Sequence, residues 1–85
     1  MIRDEITKAE SKNTDPTKAK LLATASNIVT LSENLAEDNL LVQNYVTKAY
    51  KTALAKCEKP LNDLNIDELA LLNEMISGAL SKSYL

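Results

Sequence analysis

The sequence contains no histidine, no tryptophan and no phenylalanine, and only one cysteine and one glycine. Each absence excludes something. Without histidine the commonest general acid–base is missing, and so are the Ser–His and Cys–His pairs that activate nucleophiles. Zinc loses its nitrogen donor, and no cysteine cluster replaces it. Cys57 has no second cysteine to pair with, so the chain does not call for an oxidising compartment. Gly78 alone cannot supply a glycine-rich phosphate loop. Aromatics are scarce and Val and Ile together number eight, which excludes an ordinary β-sandwich or barrel. No apolar run nears the roughly 18 residues of a membrane span. The start, Met1-Ile2-Arg3-Asp4-Glu5, is acidic and lacks a signal-peptide core. These readings give the expectation of a soluble, cytoplasmic protein with no membrane partner and no cofactor.

What is present points to helices. Leu (14) and Ala (10) dominate an apolar fraction of 45% in 85 residues, enough for one small domain. Ten basic residues against twelve acidic give a net charge of −2. A dedicated nucleic-acid binder carries a clear basic excess, and a DNA mimic is far more acidic. Eight Asn and nine Lys suit an AT-rich genome such as that of a phage.

Breakers at Asn13-Thr14-Asp15-Pro16 and Pro60-Leu61-Asn62-Asp63, with a softer break between Asn34 and Asn39, cut the chain into four segments. Helices are expected over about residues 2–12, 16–33, 37–59 and 66–77. Ile2, Ile6 and Ala9 share one face of the first, which is too short to be stable without docking. Asp15 is placed to cap the second, with Pro16 at its first position. There Leu22, Ala25, Ile28, Val29, Ser32, Leu35 and Ala36 form a wide apolar stripe, broadened by Leu21 and Leu31. Val42, Val46, Ala49, Tyr50, Ala53, Leu54 and Cys57 line one face of the third. Glu37 and Asp38 at its start and Lys56 and Lys59 at its end complement the helix dipole. Asn65 and Glu68 have capping-box spacing, and Leu64 and Leu69 are placed as a hydrophobic staple. The core face of the fourth helix is then Leu69, Leu72, Ile76 and Ala79 or Leu80. Gly78 is expected to end or bend that helix, leaving 81–85 as a tail. The architecture expected is all-α: a small four-helix bundle whose second and third helices form a central antiparallel pair.

Few residues offer chemistry. Lys56 and Lys59 lie near Cys57, but Cys57 continues the apolar stripe and reads as a small buried hydrophobe. Asp63, Asn65, Asp67 and Glu74 fall at positions 1, 3, 5 and 12 of a calcium-loop pattern. Glu68 replaces the glycine required at position 6, and the same residues are explained as a helix cap. An enzyme would need Asp63, Asp67 and Glu74 to converge on a pocket, so no catalytic or metal site is expected. At about 100° per residue, Lys48, Lys51, Lys56 and Lys59 fall on one arc of the third segment, opposite the apolar stripe. Such a row suits an acidic partner or a phosphate backbone, and equally an ordinary solvated face. Tyr50 is expected in the core with its hydroxyl at the rim, Tyr45 at the edge of the stripe, and Tyr84 in the tail. Association of protomers would add stability to so small a domain.

Leu35-Ala36-Glu37-Asp38-Asn39 precedes the third segment, which carries Lys48-Ala49-Tyr50-Lys51-Thr52. Glu68-Leu69-Ala70-Leu71-Leu72-Asn73-Glu74-Met75-Ile76-Ser77-Gly78-Ala79-Leu80-Ser81 follows. In order and spacing these stretches resemble the GatB/YqeY family. There a capped helix with a Lys-rich run is followed by a Glu-Leu-x-x-Leu-x-x-Tyr-Leu-Pro-x-x-Leu-Ser stretch. Ser77 stands where that family has Pro, and Cys57-Glu58-Lys59-Pro60 replaces its glycine-containing connector. The resemblance covers nearly all of this sequence and the first half of a family member. It implies a small helical bundle that contacts tRNA or an amidotransferase-like complex without catalysis by this domain.

Two roles follow as expectations. The first is a small non-catalytic adaptor, a phage regulator that docks on a larger host protein through Lys48, Lys51, Lys56 and Lys59. The alternative is an RNA- or tRNA-contacting helical domain of GatB/YqeY type.

Overall fold

The computed structural model describes residues 2–35 and 40–84. Within them are four α-helices and no strand: α1 (Ile2–Lys12), α2 (Pro16–Leu35), α3 (Leu40–Cys57) and α4 (Ile66–Tyr84). The chain is an all-α bundle, as its composition requires. No described helix is long and apolar enough to cross a membrane.

The boundaries have local causes. At the start of α2 the Asp15 carboxylate accepts the Thr17 N–H at 2.9 Å and, at a longer 3.4 Å, that of Lys18. These satisfy two of the donors a helix start leaves open. At the start of α4 the capping box is reciprocal: Glu68 N–H donates to Asn65 Oδ1 at 2.8 Å, and Asn65 N–H to Glu68 Oε1 at 2.9 Å. Leu64 and Leu69, either side of the cap, are both buried, which completes the staple. The Asn65 N–H, then the Lys59 ammonium, hold the Glu68 carboxyl below its ordinary pKa.

Three boundaries differ from expectation, and the first is small: α2 runs two residues further, to Leu35. Helix α3 ends at Cys57, two residues early, because Glu58 turns left-handed at φ 54°. The Glu58 N–H then donates to the Leu54 carbonyl at 3.0 Å, closing the helix with an αL cap. Glu37 and Asp38, expected at its other end, lie outside the described residues. Helix α4 does not stop at Gly78 but runs to Tyr84. Gly78 keeps a negative φ, and Ala79 and Leu80 beyond it pack against the core, which holds the helix through its weak point.

Left-handed backbone is costly for any residue with a Cβ, so Glu58→Gly should stabilise the fold by about 0.5–1 kcal/mol. The expected result in a thermal melt is a rise of a few degrees. A lower melting temperature would mean that the Glu58 side chain is worth more than the strain it carries.

Packing follows from the apolar arcs. Arg3 at the start of α1 pairs with Glu33 near the end of α2 at 3.0 Å, so these helices are antiparallel. Lys59, just past α3, pairs with Glu68 in the first turn of α4 at 3.0 Å, which fixes the second antiparallel pair. Helix α4 packs broadly on both α3 and α2, whereas α2 and α3 share less contact with each other. Because α2 also packs broadly on α1, the central pair is α2 with α4, and α4 takes the place expected of α3. The reason lies in its width: Leu69, Leu72 and Ile76 are buried, and Met75, Ala79 and Leu80 are partly buried beside them. Together these span about 140° of the helix, enough to face two neighbours. Asn73 reinforces one of them, its Nδ2 donating to the Leu21 carbonyl at 3.0 Å.

Ile6 and Ala9 of α1, Leu22, Ala25 and Val29 of α2, and Val46, Tyr50 and Ala53 of α3 complete the core. Ser32 is buried with its hydroxyl on the Val29 carbonyl at 2.6 Å. Leu31, expected to broaden the α2 stripe, is half exposed instead.

Candidate functional site

Helix α3 borders every candidate surface. Its inner face is Val42, Val46, Tyr50 and Ala53. The two flanks and the outer arc differ in chemistry, and a helix with four sides of distinct character is a natural place to look for function.

One flank faces α1 and α2. Gln43, Thr47 and Lys51 line a groove of about 750 Å³ together with Asp4, Glu5 and Lys8 of α1 and Ser32 and Glu33 of α2. Its charged rim holds three carboxylates against two ammonium groups. Tyr50 lies on the core side of this flank, buried, and its hydroxyl has no hydrogen-bond partner. That hydroxyl was expected at the rim and is buried instead, beside Glu5 of α1. Burial first, and then the neighbouring Glu5 carboxylate, push the phenol pKa far above its ordinary value. It exchanges no proton near neutrality.

The other flank faces α4. Tyr45 and Ala49 meet Leu71, Met75, Gly78 and Ala79 across a mostly apolar groove of about 610 Å³, with Glu74 and Lys82 on its edge. Tyr45 is 54% exposed and Leu71 36%. This patch was not legible as a surface in the sequence, where Tyr45 read only as a stripe edge.

The outer arc carries the lysine row. Lys48, Lys51, Lys56 and Lys59 are all exposed. They are not equivalent. Lys48 and Lys56 project from the helix, Lys51 turns to the acidic groove, and Lys59 lies beyond the end of α3, bound to Glu68. The helical arithmetic that put Lys59 on the arc fails because Glu58 breaks the helix first.

The candidates for chemistry are occupied or dispersed. Cys57 is half-buried and packed against the core, as its place in the stripe suggested. Asn65 and Glu68 spend their side-chain oxygens on the α4 cap. Asp67 and Glu74 are both exposed on α4 and separated by about two turns, so the residues of the calcium pattern have no loop in which to converge. Among the described residues no three His, Cys, Asp or Glu side chains come together as a metal site would require.

No family model, curated protein or solved structure matches this chain. The surfaces above therefore have to be read from their own chemistry, without a relative's residues to guide them. Of the three, the outer arc of α3 offers cations to a partner, the α1–α2 flank is internally compensated, and the α4 flank offers apolar area.

Proposed function

We infer that the chain is a small non-catalytic binding protein that docks on a larger protein through the lysine-bearing face of α3. The observation that carries this reading is the exposure of Lys48, Lys51 and Lys56 along a single helix. A rigid row of ammonium groups recognises an acidic protein surface and speeds its approach. The Asn- and Lys-rich composition fits a phage regulator acting on a host machine. A nucleic-acid role has less support. Lys59 is bound to Glu68, and Lys51 borders Asp4, Glu5 and Glu33, which leaves few free cations for a phosphate backbone.

The test is capture from bacterial lysate with and without nuclease, comparing the wild-type chain with a Lys48→Glu, Lys51→Glu, Lys56→Glu variant. Lys59 is left intact because it supports the α4 cap. A stoichiometric protein that survives nuclease and is retained at least about tenfold less by the variant is the expected result. Undiminished retention by the variant would remove the lysine face from the reading. Recovery of tRNA, lost on nuclease treatment, would replace it with the GatB/YqeY-type alternative.

A further inference from the structure

We propose that the α3–α4 flank is covered by a second copy of this chain, with the α4 helices crossing antiparallel at Gly78 about a two-fold axis. The surface is distinct from the lysine row.

Gly78 is the starting point. It lies inside α4, where glycine is the poorest helix former after proline. Nothing within the protomer requires it. Its φ is negative, it is exposed, and a Cβ built on it meets no atom within 4 Å. A residue without a side chain at this point does serve one purpose: it lets another backbone approach. Interaxial distances at the short end of the usual range of about 8–10 Å need small residues at the crossing.

The residues around Gly78 fit one crossing geometry. Glu74 and Lys82 lie four residues before and four after it, on the same side of the helix and on the edge of the apolar groove. They are about 12 Å apart along the axis, too far to pair with each other. Neither forms an ion pair with any described residue. A two-fold axis through Gly78 brings Glu74 of each protomer to the partner's Lys82, about 6 Å along the helix from the crossing on either side. An isologous interface requires this kind of self-complementarity, in which position i meets j and j meets i. A parallel arrangement would instead place Glu74 against Glu74 and Lys82 against Lys82. Tyr45, exposed on the α3 side of the same groove, adds apolar area to the covered surface, while Leu71 lies about 10 Å along α4 from Gly78, outside the charged pairs.

The test is sedimentation equilibrium of the full chain from about 10 µM to about 1 mM, spanning the range of a weak to moderate dimer. The wild-type chain is expected to dimerise. Glu74→Lys alone, or Lys82→Glu alone, creates two like-charge contacts by symmetry and should raise the dissociation constant at least about tenfold. The combined swap, Glu74→Lys with Lys82→Glu, restores both pairs in reversed polarity and should return it to near the wild-type value. A wild-type chain that stays monomeric at the highest concentration overturns the proposal. So do single variants that dimerise as the wild type does, or a combined swap that fails to rescue.

Discussion

Leu72→Ala is expected to remove about 3 kcal/mol of folding stability, whereas Leu71→Ala, one position earlier, should cost about 0.5 kcal/mol or less. The two residues are chemically identical neighbours on α4, so helix propensity cancels between them. Burial does not: Leu72 is 0% exposed and Leu71 36%. Leu72 lies on the broad arc by which α4 packs on both α2 and α3, so its removal opens a cavity at the centre of the bundle, where the surrounding helices relax only in part. A domain of this size has roughly 4–13 kcal/mol in total, so the loss is a large share of what holds the fold. Urea denaturation at low protein concentration, where any association is negligible, should show a lowered midpoint with an unchanged slope for Leu72→Ala. Leu71→Ala should denature almost as the wild type does. Equal losses at the two positions would mean that α4 does not pack with this face inward.

Much of this fold is written locally in the sequence. The Asp15 cap, the Asn65–Glu68 box and the Leu64–Leu69 staple are each fixed by residues within five positions of one another, so spacing alone reveals them. The apolar faces of α1 and α3 are equally legible, since 3.6-residue periodicity determines which side is buried. What periodicity does not determine is which helix a wide face meets. Helix α4 reads as one stripe, and only the packing shows that its Leu69–Leu80 arc serves two neighbours. Gly78 misleads for a related reason: propensity argues for an ending, while the tertiary contacts of Ala79 and Leu80 argue for continuation and prevail. Helical geometry places Lys59 on the lysine row only if α3 continues past Cys57, where the helix has already ended. The first three members of the row stand on α3, but the left-handed turn at Glu58, a position without the usual glycine or asparagine, gave no warning in sequence. The α4 flank was invisible at that level, because Tyr45 and Leu71 become a shared surface only once α3 and α4 are laid side by side.

Ile6→Ala should detach α1 while leaving most of the bundle folded. With 11 residues, α1 is below the length at which an isolated helix persists in water, so its structure depends on docking. Its anchors are few. Ile6 is completely buried, Ala9 is small, and the Arg3–Glu33 pair has a guanidinium 42% exposed, which makes it worth about 1 kcal/mol or less. Truncating Ile6 removes about 3 kcal/mol of packing from a single short element. That is comparable to everything that holds α1 in place, so the helix should open locally before the domain unfolds. Native-state hydrogen exchange resolves this directly. In the variant, amides of residues 6–12 should lose most of their protection, while those of α3 and α4 around Val46, Tyr50, Leu72 and Ile76 retain theirs. Release of α1 also uncovers the Tyr50 ring and takes Glu5 away from it, so the phenol should titrate closer to its ordinary value of 10.0 than in the wild type. A uniform loss of protection along the whole chain would instead show that α1 belongs to one cooperative unit with α2, α3 and α4. Docking of Ile6 would then be a condition for the core itself rather than for one helix.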